Sequence, residues 1–146
     1  MWRPAALQLS SLLLGLGLHA LWPVEIPFAA EYGGAALALL VGLALSILAL
    51  SFLEFARAGT SLRPDHAAAA LIRTGPFRRS RNPLYLAVAL LILAAGLWAN
   101  SLWIWLMVAV LVLVMNRAVI VPEERYLEQR FGRDYLDYKR AVRRWL

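Results

Sequence analysis

The residues best suited to chemistry lie in the stretch from Arg73 to Tyr85, RTGPFRRSRNPLY. Its four arginines are costly beside hydrocarbon, so they must face water, lipid headgroups or a charged ligand. Pro83 can begin a helix, because the first helical residue does not need its N–H for an intrahelical bond. A helix N-terminus with arginines beside it suits an anionic group. This stretch is therefore a candidate binding site.

A second group of charged residues, Glu123 and Glu124, follows Pro122. Their carboxylates suit a cationic or hydroxyl-bearing group. If the apolar segments between the two groups form a helical hairpin, both groups emerge at the same membrane face. A ligand with a carboxylate and a positive charge would fit between them. S-adenosylmethionine is such a ligand, because it has a carboxylate, an ammonium, a sulfonium and ribose hydroxyls.

The same residues also have an ordinary interpretation. Arginines after a membrane span are common topology signals, and glutamates after a proline are common at helix starts, where they favour the helix dipole. On this alternative the chain is a non-catalytic membrane protein whose basic loop binds anionic lipid or a partner. The residues by themselves leave both interpretations open.

The composition predicts a single all-α integral membrane domain. The chain has 146 residues, of which 62% are hydrophobic and 16% charged. The chain contains several long apolar runs, and such runs are typical of membrane spans. We predict about four transmembrane helices, at residues 5–22, 33–56, 83–98 and 101–121. The joint at 99–101 is so short that the last two must form an antiparallel hairpin.

The basic residues indicate the orientation. They are concentrated in the loop 57–82 and the tail 122–146, whereas the links 23–32 and 99–101 contain no lysine or arginine. The positive-inside rule then places both termini, the loop and the tail in the cytoplasm, and we expect a bacterial inner membrane. The tail has the pattern of an amphipathic helix broken near Gly132.

Several classes of partner are not expected. The net charge of +6 is typical of cytoplasmic segments that contact membrane lipids, and no nucleic-acid-binding signature accompanies it. The chain has no cysteine, and His19 and His66 lack an acidic cluster around them, so no metal site is predicted. No obligate protein partner is indicated.

Four short motifs occur in order along the second half of the chain. With this order and spacing the sequence resembles the integral-membrane methyltransferases, which include isoprenylcysteine carboxyl methyltransferase and the phospholipid N-methyltransferases. The resemblance covers about residues 57–146. The motifs are Gly75-Pro76-Phe77, Arg81-Asn82-Pro83-Leu84-Tyr85, Glu123-Glu124 and Phe131-Gly132-Arg133-Asp134-Tyr135-Leu136-Asp137-Tyr138.

The resemblance implies S-adenosylmethionine as the cofactor. Glu123 matches the cofactor-binding acid of the family, Phe77 stands where a tyrosine is usual, and Asn82 stands where the family has histidine. An asparagine can keep a hydrogen bond but cannot titrate. The residues expected to bind the cofactor are Ala69, Ala70, Leu71, Ile72, Phe77, Arg81, Asn82, Pro83, Leu84, Tyr85 and Glu123.

The resemblance also implies methyl transfer to a lipophilic or small membrane-soluble acceptor, such as a carboxylate, amine or thiol, at the cytoplasmic face. Displacement at a sulfonium methyl needs positioning and desolvation more than covalent help. We expect Arg81 and Glu124 to be catalytic, with Glu124 as a base for an amine acceptor. Arg117 and Tyr126 are expected to contact the substrate. Val119 stands where the prenylcysteine enzymes have a substrate-contacting arginine.

Overall fold

The computed structural model describes residues 3–59 and 70–146, and within these ranges every regular element is helical. This confirms the predicted all-α class. A 3₁₀ turn at Gly75–Arg78 precedes the third helix, and a π turn at Asn116–Ile120 joins the fourth and fifth. The α-helices are α1 (Arg3–Leu21), α2 (Ala29–Arg57), α3 (Pro83–Trp98), α4 (Leu102–Met115), α5 (Val121–Phe131) and α6 (Arg133–Ala141).

Within the described ranges, three helical segments are long and apolar enough to cross a membrane. They are α1, α2 and the continuous helix Leu102–Phe131, which contains α4, the π turn and α5. The 16 residues of α3 are also apolar, but they rise only about 24 Å, against a hydrocarbon thickness of about 30 Å. The fourth predicted span therefore remains a prediction, and α3 would need its ends recessed in the bilayer or protein.

The helices lie close to the predicted segments, but α2 begins at Ala29 rather than at residue 33, and the fourth helix ends later than predicted. We expected that span to end at residue 121 and a separate tail to follow, whereas the helix continues to Phe131. Pro122 cannot donate a hydrogen bond, and its ring would clash with the carbonyl four residues earlier in an α-helix. The wider π turn just before it relieves that conflict and lets the helix continue. The predicted break near Gly132 is present, where φ is +54°.

Close packing at Ile104 organises the bundle. α4 contacts both α1 and α3, and α2 packs along α3. Ile104 is fully buried between Gly15 of α1 and Gly96 of α3. A Cβ at Gly15 would lie 2.9 Å from Ile104 Cα, and one at Gly96 would lie 2.7 Å from Trp105 Cδ1. Only glycine permits these approaches, as is common where membrane helices meet.

This packing makes Gly96→Val a test of the bundle. We expect the variant to be destabilised by about 1–3 kcal/mol, because its side chain must displace Ile104 and Trp105. The thermal unfolding temperature in detergent should fall clearly. Gly17→Val is the matched control, since nothing lies within 4 Å of a Cβ there. Equal unfolding temperatures for the two variants would contradict the described packing.

The loops gather at two chemically different ends of the bundle. At one end the main-chain N–H of Ile26 donates to Asn100 Oδ1 at 2.9 Å, and Leu102 N–H donates to Val24 O at 2.9 Å. Neither segment contributes a lysine or arginine there. The other end collects the end of α2, the start of α3, α5 and α6. The charge separation expected from the sequence is therefore present in the described fold.

Candidate functional site

The start of α3 and the first turn of α5 meet through a buried ion pair. Arg81 Nη1 lies 3.1 Å from Glu124 Oε1, and the two side chains are only 8% and 6% exposed. Burying two charges is costly unless they are paired. The structure therefore brings together the two charged groups that the hairpin was expected to place on one face.

The π turn explains which side of α5 faces the pair. It holds one residue more than a turn of α-helix, which rotates the following helix by about 100° relative to an unbroken one. After this rotation Glu124 is buried and Glu123 is half-buried, although both directly follow Pro122. Such turns are frequent at functional sites.

Glu124 is also held by a third charged residue, Arg144, which sequence reasoning missed. Arg144 Nε donates to Glu124 Oε1 at 2.9 Å and Arg144 Nη2 donates to Oε2 at 2.8 Å. These hydrogen bonds raise the pKa of the Arg144 guanidinium above its usual range. Lys139 Nζ lies 3.6 Å from Oε2. Three cations stabilise the ionised carboxylate, so Glu124 is better suited to positioning than to taking up a proton.

Arg81 keeps donors that no described residue satisfies. Its Nε and Nη1 are buried and make no aligned hydrogen bond with the described part of the chain. The 3.1 Å approach of Nη1 to Glu124 is thus a close charge contact whose angles do not suit a hydrogen bond. The Tyr135 hydroxyl lies beside the same guanidinium, and burial raises its pKa and keeps it neutral. Unmatched guanidinium donors of this kind fit an anionic ligand group.

Glu123 supplies a second polar group next to this pair. Its Oε1 accepts a hydrogen bond of 2.7 Å from the hydroxyl of Tyr85, which lies in the first turn of α3. Its other oxygen accepts no hydrogen bond from the residues that the structure describes. The arrangement fixes the carboxylate and leaves one oxygen for an ammonium or hydroxyl donor.

The segment after α6, residues 142–146, fastens the start of α3. Arg143 O accepts the Arg81 N–H at 3.0 Å, and Arg144 O accepts Asn82 Nδ2 at 3.0 Å. Trp145 Nε1 donates to Asn116 Oδ1 at 3.0 Å, which ties the same segment to the π turn. Asn82 thus uses its amide in a structural hydrogen bond. In the sequence these residues carried no signal beyond a basic pair after an amphipathic helix.

Phe77 is held between α2 and α6. Its ring packs edge-on against Phe55 of α2 with 5.7 Å between centroids. Its carbonyl accepts a 2.7 Å hydrogen bond from the Tyr138 hydroxyl, which burial keeps neutral by raising its pKa. Phe77, which stands where the methyltransferases that the sequence resembles usually have tyrosine, therefore packs its ring against α2.

The turn before Phe77 is fixed to the end of α2. Gly75 has a φ of +58°, and a Cβ on it would lie 2.9 Å from Glu54 Cγ. Glu54 accepts a hydrogen bond from the Thr74 hydroxyl and pairs with Arg57 at 3.0 Å. A glycine is required here both by the left-handed backbone and by the close side chain. These contacts fix the turn to α2, a few residues before Arg81 in the chain.

The other predicted site residues are less tightly grouped. Ala70, Leu71 and Ile72 are half-buried in irregular chain before the turn, and Ala69 lies outside the described residues. Pro83 is fully buried and Leu84 is half-buried at the start of α3. Arg117 is exposed on the π turn, and Tyr126 is 45% exposed on α5. The binding and substrate roles of these residues remain predictions.

Helices of membrane length characterise an integral membrane protein, and a buried polar cluster lies at one end of its bundle. The family model described as phospholipid methyltransferase matches residues 32–134, which extend from α2 to the start of α6. The chain therefore belongs to the phospholipid methyltransferase family. Membership implies methyl transfer in membranes with S-adenosylmethionine as the methyl donor; the isoprenylcysteine-like subtype stays a prediction.

Part of the chain is similar to a shorter protein. An uncharacterized protein of Haemophilus influenzae is 46% identical over 63 residues, which make up 43% of this chain and 100% of that protein. No solved structure matches the chain.

Proposed function

We propose that this protein transfers a methyl group from S-adenosylmethionine to a lipophilic or small membrane-soluble acceptor, and that the cluster around Arg81 and Glu123 binds the methyl donor. The observation that carries this proposal is the buried Arg81 guanidinium, whose Nε and Nη1 have no aligned acceptor among the described residues. Beside it, Tyr85 donates to one oxygen of the Glu123 carboxylate, and no residue that the structure describes donates to the other. Donors for a carboxylate and an acceptor for an ammonium or ribose hydroxyl thus lie together.

The residues fit the donor molecule in charge and hydrogen-bonding capacity. Arg81 would donate to its carboxylate, and Glu123, oriented by Tyr85, would accept from its ammonium or hydroxyl groups. When bound, S-adenosylmethionine would supply an activated methyl group, which is carried on its sulfonium. The protein would contribute the fixed orientation of both ligand groups.

The environment of Glu124 favours an acceptor that is already nucleophilic. A carboxylate or thiolate acceptor would need no proton removed by the protein before it takes the methyl group, so Arg81 and Glu123 would only have to hold the donor in place. An amine must first lose a proton. Glu124 is surrounded by Arg81, Arg144 and Lys139, so we propose a positioning role for it, and base catalysis by Glu124 would be needed only for an amine acceptor.

We further propose that the site faces the cytoplasm of a bacterial inner membrane. The polar cluster lies at the end of the bundle that carries the arginines, and the opposite links 23–32 and 99–101 have none. The positive-inside rule supports this orientation. The donor would then enter from the cytoplasm and the acceptor sideways from the bilayer.

Calorimetric titration tests the proposal directly. Purified protein in detergent or nanodiscs is expected to bind S-adenosylmethionine and S-adenosylhomocysteine with micromolar Kd. Absence of binding to both ligands in several detergents and lipid mixtures would overturn the proposal. Labelled methyl donor incubated with membranes that contain the protein would then identify the acceptor by its labelled product.

A second candidate function, binding of anionic lipid through the basic loop, has one observation in its favour. Arg78 and Arg79 line an open depression of about 460 Å³ together with Gly75, and neither has an acidic partner among the described residues. Both are exposed and lie two to three residues from the buried Arg81. The shape and charge suit a lipid phosphate at the membrane surface.

The double variant Arg78→Gln/Arg79→Gln separates this function from methyl transfer. If the depression binds anionic lipid, the affinity for phosphatidylglycerol should fall about thirtyfold, and less of it should copurify, because each of the two basic residues contributes about 1 kcal/mol at an anionic surface. Binding of S-adenosylhomocysteine should stay unchanged. Arg125→Gln/Arg130→Gln removes the same charge from exposed positions of α5 and is the control. Equal lipid retention in both variants would exclude a specific lipid site.

A further inference from the structure

Arg144 holds Glu124 in place, and it lies outside the residues 32–134 that the family model matches. Its guanidinium forms a fork on Glu124, with Nε at 2.9 Å from Oε1 and Nη2 at 2.8 Å from Oε2. Both carboxylate oxygens are thus engaged by one residue. This bidentate geometry is among the strongest that charged side chains form.

The fork has a direct effect on Arg81. Arg81 Nη1 is close to Glu124 Oε1, at 3.1 Å, yet Nε and Nη1 form no aligned hydrogen bond with any described residue. A carboxylate free to turn would reach an aligned geometry with so close a guanidinium, because an unsatisfied buried donor is costly. The bond pattern therefore shows Glu124 held by Arg144 rather than by Arg81.

The main chain around Arg144 reinforces this arrangement. The carbonyls of residues 143 and 144 accept hydrogen bonds from the Arg81 N–H and from Asn82 Nδ2, both at 3.0 Å. Trp145 anchors the segment on Asn116 at the π turn. Residues 143–145 thus connect the start of α3, which carries Arg81, with the helix that carries Glu124.

We infer that Arg144 is a positioning residue of the methyl-donor site: by engaging both oxygens of Glu124, it keeps Glu124 from capturing the Arg81 donors and leaves them available for the ligand carboxylate. This inference rests on the proposed function. Arg144 itself does not contact the ligand, since its fork is directed at Glu124. It acts on the ligand through Arg81, whose donors it keeps free.

The test compares affinities for S-adenosylhomocysteine by calorimetry, with the intact protein in nanodiscs. In Arg144→Gln, Glu124 is released and binds Arg81, so Kd should rise about tenfold, within the range of coupling measured for contacting charged residues. In Glu124→Gln/Arg144→Gln the competing charge is also gone, and Kd should return to within about threefold of wild type. A purely structural role for Arg144 predicts the opposite, a double variant at least as weak as the single one.

Two further variants complete the design. Arg140→Gln removes the same charge from the same region, but among the described residues its ion pair is with the exposed Asp137, so its Kd should equal that of wild type. Arg144→Lys keeps the charge but cannot form the fork, and its Kd should lie between those of wild type and Arg144→Gln. If the double variant does not fold, weaker binding by Arg144→Lys at an unchanged unfolding temperature supports the inference, and unchanged binding overturns it.

The outcomes separate the inference from the proposed function. If wild-type protein binds neither S-adenosylmethionine nor S-adenosylhomocysteine, the proposed function fails. If wild type binds and Arg144→Gln binds equally well, or the double variant shows no recovery, only the role of Arg144 is refuted.

Discussion

Arg81→Ala is expected to weaken binding of S-adenosylhomocysteine strongly while the protein still folds and inserts. A hydrogen-bonded charge pair with the ligand carboxylate contributes about 1.5–3 kcal/mol, so Kd should rise roughly 10- to 150-fold from this contact alone. Removing Arg81 leaves Glu124 paired with Arg144 and near Lys139, so no buried carboxylate is left without a cation. Loss of binding should therefore not come from unfolding.

The control for this prediction is Arg125→Ala, which removes an exposed arginine from α5. Its Kd and thermal unfolding temperature should match those of wild type. Normal ligand binding by Arg81→Ala would show that the site lies elsewhere. A large fall in unfolding temperature for Arg81→Ala would show instead that its pairing with Glu124 mainly stabilises the fold.

Glu123→Gln is expected to weaken donor binding by a similar factor for a different reason. The amide keeps nearly the same shape and can still accept from the Tyr85 hydroxyl, but it loses the charge that would bind the ammonium or ribose hydroxyls. We expect Kd to rise about 10- to 100-fold, as for the loss of one charge-assisted hydrogen bond. The unfolding temperature should stay close to that of wild type.

Tyr85→Phe tests the hydroxyl that donates a hydrogen bond to Glu123. It removes the hydroxyl that orients Glu123 but keeps the ring, so Kd should rise by about fivefold, less than for Glu123→Gln. Asp137→Asn is the matched control, since it neutralises an exposed carboxylate on α6. If Glu123→Gln and Asp137→Asn bind the ligand equally well, Glu123 is not part of the donor site.

Much of the fold follows from local sequence. The apolar runs predict the helices because their length and composition suit a bilayer, and Pro83 and Gly132 mark helix ends through their own backbone restrictions. The short joint at 99–101 requires an antiparallel hairpin whatever the rest of the chain does. Because a hairpin returns the chain to the membrane face at which it began, Arg81 and Glu124 are expected on one face from the sequence alone.

Other features could not be predicted, because they depend on contacts between distant residues. Pro122 in the sequence suggested the start of a separate tail, whereas a π turn just before it allows the helix to continue to Phe131. The expected catalytic role of Glu124 depended on its motif, and no motif indicates that Arg144, 20 residues further along, occupies both its oxygens. Which of several cations pairs with a carboxylate depends on the tertiary packing that places one of them within hydrogen-bonding distance.

The sequence by itself determined a membrane-embedded, all-helical chain with a methyltransferase pattern, since hydropathy, prolines and short motifs act locally or at fixed spacing. The tertiary structure decided the state of the site. It pairs Tyr85 with Glu123, engages both oxygens of Glu124 with Arg144 and brings residues 143–145 back to the start of α3. These outcomes follow from burial, because a charge removed from water must take the partners that packing places within reach.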